Sequence, residues 1–164
     1  MPETFDKKQL HEVIIAALEA LVDNAKNAVM RAYETATHEE NIAENKYDTL
    51  GLEAAYLTQG QARRLAECET DLAAFQNLAP RQFAEDEAIA IGALVRLEDE
   101  AGAERYVFLG PAAGGLKISF SDIDIVVITP SAPFGKALLK AIVGDAVTVQ
   151  LAAKQQSYDI DAVF

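Results

Sequence analysis

Residues 14–32 read IIAALEALVDNAKNAVMRA, and the spacing of their apolar side chains predicts an α-helix with one apolar stripe. The stripe consists of residues separated by alternating steps of four and three, namely Ile14, Leu18, Leu21, Ala25, Ala28 and Ala32. This spacing places all of them on one face of a helix, which is typical of a coiled-coil seam. We therefore predict that this helix packs lengthwise against a second helix.

A second apolar stripe with similar spacing follows further along the chain, at Leu65, Cys68, Leu72, Phe75 and Ala79. The first stripe narrows to alanine toward its far end, and the facing part of the second helix is also rich in alanine (Ala54, Ala55 and Ala62). Small side chains let two helix backbones come close together. We predict an antiparallel pair, with one helix from about Lys8 to Thr35 and the other from about Glu44 to Leu78. Its tip would lie in the polar segment 37–48.

The composition changes near Pro80, which indicates a second module of a different class. Only one of the five prolines and two of the nine glycines precede Pro80. The first half is rich in the helix formers Ala, Leu and Glu, whereas the second half is rich in Val, Ile and turn residues. We predict an α+β protein with an N-terminal antiparallel coiled coil over residues 1–80, an acidic tip near residues 39–48, and a β-rich C-terminal domain over residues 81–164.

Within the second module, apolar runs and alternating patterns predict short strands. The predicted strands cover Ala88–Leu97, Arg105–Leu109, Ile123–Ile128, residues 147–151 and residues 158–161, with a short helical turn over Pro133–Ala141. The turn-like segment 98–102 between the first two strands favours a β-hairpin. The last two strands alternate apolar and polar residues, which predicts a half-buried terminal hairpin.

Charge and cysteine content exclude several classes of protein. The 164 residues include 14 Lys and Arg against 26 Asp and Glu, so the net charge is −12. A protein that coats nucleic acid needs Lys and Arg for the phosphates, so we expect only indirect contact with nucleic acid, through a protein partner. Cys68 is the only cysteine, which excludes an intramolecular disulfide. We find no signal peptide and no apolar run long enough for a membrane span, and we expect a cytoplasmic protein that does not contact membranes.

Carboxylates concentrated at the predicted tip are the strongest chemical signal in the sequence. Glu39, Glu40, Glu44 and Asp48 fall within ten residues. If the segment is helical, Glu40, Glu44 and Asp48 share one face and could help to hold a hard cation such as Mg²⁺, with further ligands from a partner. The alternative is a solvated turn, in which Thr37 and Glu40 form a capping box at a helix N-terminus. The sequence lacks phosphate-binding loops, paired-cysteine metal sites and hydrolase motifs.

Two regions of the chain, each with two matching stretches, resemble the bacterial Gre transcript-cleavage factors. Near the C-terminus the stretches are ITPSAPFGKALL (residues 128–139) and VGDAVTV (residues 143–149). In the second helix they are ENKYD (residues 44–48) and EAAYLTQGQAR (residues 53–63). With the matching order of modules, the resemblance covers nearly the whole chain.

The resemblance implies a fold, a partner and a mode of action. The expected fold is an antiparallel coiled coil followed by a domain like the FK506-binding proteins. The expected partner is bacterial RNA polymerase, bound at the rim of its secondary channel through a loop that here contains Ser131, Pro133, Phe134 and Gly135. The tip carboxylates would reach the polymerase active centre and help to hold a shared Mg²⁺, so that the polymerase itself cleaves backtracked RNA. The chain would therefore not be an enzyme by itself, and it would act as a monomer or homodimer.

The acidic tip departs from the family pattern, which reads Asp-Leu-x-Glu-Asn. The corresponding run here is Asn41-Ile42-Ala43-Glu44-Asn45, and an alternative register, shifted by four residues, brings Asp48 to the Glu position. Either register leaves an amide in place of one carboxylate. The resemblance thus implies Glu44 and Asp48, helped by Glu40 or Glu39, as the residues for transcript cleavage, with Glu44 and Asp48 as the Mg²⁺ ligands. The sequence leaves open a factor that stimulates cleavage, a regulator that occupies the channel without cleavage, and a coiled-coil scaffold with no polymerase role.

Overall fold

The computed structural model describes the backbone of residues 4–42 and 49–164, and the side chains of residues 4–35 and 57–164. Internal contacts divide the chain into two units. The sheet unit comprises Met1–Ile15 and Ala74–Phe164, and the helical unit comprises Ala16–Ala73. The predicted domain boundary near residue 80 stays a prediction, since this division groups the first helical turns with the sheet.

The helical unit contains most of two long helices, α1 over Lys7–Ile42 and α2 over Thr49–Gln76. A small core of Val22, Ala25 and Cys68 joins them, with Leu21, Leu65 and Leu72 packed around it. Only six residues separate the two helices. Even when fully extended, six residues are much shorter than α1, so they could not return the chain to the start of α1. Contact between residues near 22 and residues near 68 therefore requires the helices to run antiparallel.

The sheet unit is built around six strands. They are β1 Leu94–Asp99, β2 Glu104–Leu109, β3 Lys117–Phe120, β4 Ile123–Ile128, β5 Ala146–Leu151 and β6 Lys154–Val163, in the spatial order β3-β4-β2-β1-β6-β5. All neighbouring strands are antiparallel except β2 and β4, which are parallel. Long helices followed by a mixed sheet confirm the predicted α+β class.

Both faces of the sheet are covered within the sheet unit. On one face a short helix, α3 (Pro133–Leu138), packs against β5, and its side chains enter the main apolar core. That core includes Val95, Leu97, Val107, Leu109, Phe134, Leu138, Val147, Val149, Tyr158 and Ile160. Because side chains alternate along a strand, Tyr106 and Phe108 lie on the opposite face. There their rings meet Phe5 at 5.8 Å and Phe75 at 6.1 Å between centroids.

Lys7 fastens the start of α1 within the sheet unit. Its side chain is only 4% exposed, and its Nζ donates hydrogen bonds to the carbonyl oxygens of Arg81 (3.1 Å), Gly92 (2.7 Å) and Phe164 (2.8 Å). The three donors of the ammonium group are thus matched by three acceptors. Burial, together with the nearby Arg81 charge, lowers the pKa of Lys7 from 10.5 to about 8. Lys7 is therefore charged at neutral pH.

The strand predicted over Ala88–Leu97 is only partly present, because β1 begins at Leu94. Gly92 has a φ of +100°, a conformation that favours glycine and interrupts an extended chain. The amide of Ile89 instead donates to the Ala141 carbonyl (2.8 Å), while the Ile89 carbonyl accepts from the Lys140 amide (2.8 Å). The segment around Ile89 is thus hydrogen-bonded to the residues that follow α3 and does not extend the sheet. None of the described helices is long and apolar enough to cross a membrane.

Candidate functional site

The candidate docking loop runs over residues 129–135, which are the connection from β4 (residues 129–132) and the first turn of α3. Its close packing depends on Gly135, because a Cβ atom at that position would overlap the carbonyl oxygen of Thr129. The backbone of α3 therefore lies directly against the end of β4, and only glycine permits that approach. The loop is short and fixed at both ends.

Proline and local hydrogen bonds determine how α3 begins. Pro133 occupies the first turn of the helix, where its fixed φ is favourable and its missing amide hydrogen costs no helical bond. The amide of Ala132 donates to the carbonyl of Thr129 at 3.1 Å, and the hydroxyl groups of Thr129 and Ser131 lie 3.1 Å apart. Ala132, the N-cap residue, has no side-chain oxygen to cap the helix. The hydroxyl pair instead stiffens the turn just before the helix.

The four residues predicted to bind a partner separate into an exposed pair and a buried pair. Ser131 and Pro133 are exposed at the surface of the loop. Phe134 and Gly135 are buried, and the Phe134 ring packs on Tyr158 with 5.0 Å between centroids. The exposed pair could contact a partner directly, whereas the buried pair supports the loop from below. The partner-binding role of all four stays a prediction.

Two exposed lysines near the loop were missed by the sequence analysis. Lys136 lies in α3, and Lys140 follows the helix with a backbone φ of +71°. Both are exposed cations in a chain whose net charge is −12. Lys136 lies within the motif 128–139 and Lys140 directly follows it. This position was the available signal, because a solvent-facing Lys near a docking loop can pair with an acidic partner surface.

The predicted acidic tip is only partly covered by the structure. Glu40 lies in the last turns of α1, and nothing is described of its side chain. Glu44 and Asp48 lie outside the described residues, so their role as Mg²⁺ ligands stays a prediction. Among the residues whose side chains are described, no group of three or more His, Cys, Asp or Glu could hold a metal ion.

Comparisons with known proteins support the family resemblance of the C-terminal residues. Residues 84–163 match the family described as "Transcription elongation factor, GreA/GreB, C-term". A protein of Ralstonia nicotianae named transcription elongation factor GreA is 28% identical over 154 residues, with 93% of this chain and 91% of the relative covered.

Solved structures of related proteins are also similar to this chain. Gfh1 of Thermus aquaticus is 24% identical, with a TM-score of 0.40 and coverage of 90% of this chain and 92% of the other. A GreA/GreB elongation factor of Nitrosomonas europaea is 17% identical, with a TM-score of 0.37 and coverage of 79% and 91%.

Proposed function

We propose that this chain is a transcription elongation factor of the GreA/GreB family, which binds bacterial RNA polymerase at the secondary channel and modulates elongation there. The observation that carries the proposal is the family match over residues 84–163, which includes the whole docking loop. The proposed place of action is the cytoplasm, where bacterial RNA polymerase works. The chain itself would supply no complete active site.

Docking would use the exposed surface of the β4–α3 loop. Ser131 and Pro133 present a rigid, solvent-facing turn, and Lys136 adds a positive charge beside it. A loop that is already ordered loses little conformational entropy on binding, which favours affinity. The expected partner surface is therefore a shallow, partly acidic patch of the polymerase.

The helical hairpin would carry the acidic tip toward the polymerase active centre. Glu44 and Asp48, helped by Glu40, would contribute carboxylate oxygens to a Mg²⁺ ion that the polymerase also holds. Such an ion lowers the pKa of a bound water and stabilises charge on the phosphate during hydrolysis. An amide replaces one of the family's carboxylates and is a weaker ligand for Mg²⁺. Stimulated cleavage and occupation of the channel without cleavage therefore stay alternative modes of action.

RNA cleavage by stalled, backtracked polymerase in Mg²⁺ tests the role of the tip. We expect the wild-type chain to accelerate cleavage and the Glu44→Ala/Asp48→Ala double variant to lose most of that effect while still binding. The matched control is Glu67→Ala/Glu69→Ala, which removes two exposed acids from α2 away from the tip. Binding without acceleration by the wild type would favour the non-cleaving regulator.

Direct binding to the polymerase tests the docking loop. We expect Ser131→Glu to weaken binding, because it adds bulk and a negative charge to a surface that is proposed to face acidic groups. Gln155→Glu places the same side chain at an exposed position of β6 and should bind as the wild type does. Failure of the wild-type chain to bind polymerase at all would contradict the proposed function and leave the scaffold alternative.

A further inference from the structure

The two edges of the six-stranded sheet are protected to very different degrees. One edge is β3, which has four residues and carries Lys117; short strands and lysines are common means of preventing edge-to-edge pairing. The other edge is β5, with the sequence AVTVQL. It has six residues and contains neither a charge nor a proline, so it lacks those protections.

The direction of the backbone groups along β5 follows from its pairing with β6. The Ile160 amide donates to the Asp145 carbonyl at 2.9 Å, and β5 is joined to β6 by a two-residue turn that pairs Leu151 with Lys154. Because backbone groups alternate in direction along a strand, residues 147, 149 and 151 point their amides and carbonyls toward β6. Those of Ala146, Thr148 and Gln150 point away from the sheet.

From this edge we infer that β5 is a dimerisation surface, which pairs antiparallel with β5 of a second copy of this chain about a two-fold axis beside Thr148. In that register Thr148 lies opposite Thr148 of the second copy, and Ala146 lies opposite Gln150. All three pairs are of the hydrogen-bonded type, so about six backbone hydrogen bonds form across the axis. The two sheets become one continuous sheet.

Exposed apolar side chains at both ends of β5 support a second copy as the occupant. Leu151 is 37% exposed and Ile142 is 44% exposed, and both are among the most exposed large apolar residues that the structure describes. Ile142 begins the turn into β5, which is closed by a 3.0 Å bond from the Asp145 amide to the Ile142 carbonyl. The two-fold register places Leu151 opposite Asp145 of the second copy, beside that turn. Pairing would thus cover apolar surface at both ends of the strand.

Charges around the edge are compatible with this register despite the acidity of the chain. No like charges face each other across the axis, because β5 itself is uncharged. Lys154 is the cross-strand partner of Leu151, so it lies on the same face as Asp145 of the second copy and only two strands away. Because of the two-fold axis, Asp145 of the first copy and Lys154 of the second copy are related in the same way. Direct charge repulsion across the axis therefore does not oppose this pairing.

Cysteine cross-linking tests the register directly. In a Cys68→Ala background, Thr148→Cys should form an intermolecular disulfide on mild oxidation, because directly opposed residues lie about 5.5 Å apart between Cα atoms, within the range of a disulfide. The matched control is Gln150→Cys, whose two copies would lie about 13 Å apart along the strand. Cross-linking of neither variant, or of both equally, would overturn the proposed pairing.

Analytical ultracentrifugation of the full chain provides the second test. We expect a concentration-dependent monomer–dimer equilibrium for the wild type. Thr148→Lys, which places like charges opposite each other across the axis, should raise the dissociation constant at least about tenfold. Ser119→Lys adds the same charge at the β3 edge and should leave the equilibrium unchanged.

Circular dichroism and thermal unfolding of each variant separate loss of dimer from loss of fold. A wild-type chain that stays monomeric at every concentration, with no Thr148→Cys cross-link, would overturn the proposal and leave the edge open or taken by another protein. A dimer that Thr148→Lys does not weaken would likewise overturn it and point to another surface.

Discussion

Raising the pH from 7 to 10 should stabilise the wild-type protein relative to a Lys7→Met variant. The Lys7 ammonium is buried in the sheet unit, and burial lowers its pKa from 10.5 to about 8, with a further contribution from the Arg81 charge. At neutral pH the folded protein must therefore keep a charge out of water that the unfolded chain exposes. The variant has a side chain of similar length without that charge.

The sign and size of the effect follow from the difference between the two pKa values. Because the pKa of the folded state is the lower one, the unfolded chain binds more protons between pH 8 and 10.5, and the free energy of unfolding rises with pH in that range. A shift from 10.5 to about 8 corresponds to a cost of roughly 3 kcal/mol at pH 7. Most of this cost disappears as the pH rises to 10. The difference in unfolding free energy between wild type and variant should therefore change by roughly 1 kcal/mol at pH 9 and roughly 2–3 kcal/mol at pH 10, in favour of the wild type.

Urea unfolding at pH 7, 9 and 10 measures this difference. Far-ultraviolet circular dichroism is the suitable signal, because tyrosine ionises near pH 10 and disturbs fluorescence. Lys8→Met is the matched control, since Lys8 lies on the same helical turn but is exposed, and it should show no such growth. If the difference in unfolding free energy between wild type and Lys7→Met stayed constant with pH, the lowered pKa of Lys7 would be refuted. If the wild type instead became less stable relative to the variant as the pH rises, the three carbonyl acceptors would stabilise the charged form of Lys7 more than burial destabilises it.

Two further substitutions test the packing around the docking loop, and a third tests an open position in α2. Gly135→Ala should lower the free energy of unfolding by more than ~2 kcal/mol in urea titrations, because its Cβ overlaps the Thr129 carbonyl, and an unchanged value would contradict that close approach. Gly60→Ala in α2, where a Cβ meets open space, should instead stabilise the protein by about 0.5–1 kcal/mol. Phe134→Ala should cost about 3–5 kcal/mol by the same measurement, and a much smaller loss would show that its ring is not part of the core.

The helices and several strands could be predicted because their patterns are local. The steps of four and three along α1 place Ile14, Leu18 and Ala25 in buried positions, as the structure confirms. The apolar run at residues 123–128 coincides with β4. In both cases the side chains that a helix or strand must bury are close together in the sequence, so periodicity alone is informative.

Contacts between distant parts of the chain could not be predicted. β3 has only four residues, and its alternation is too short to distinguish from a loop. The parallel pairing of β2 with β4 depends on the sheet as a whole. Lys7 gave no signal, because a lysine beside Lys8 normally indicates an exposed helix end. Its burial depends on carbonyl groups 74 to 157 residues away in the sequence.

The Lys7 contacts also constrain how the chain folds while it is being synthesised. The Lys7 ammonium binds a carbonyl 157 residues further along the chain, and β1 pairs with β6, so the sheet unit lacks essential partners until that last strand leaves the ribosome. Protein synthesis adds about 5–20 residues per second, so the Phe164 carbonyl is made on the order of ten seconds or more after Lys7. The two helices are close to each other in the sequence, so the nascent chain can pair them first. The start of α1 would then be the last part of that helix to find its tertiary contacts.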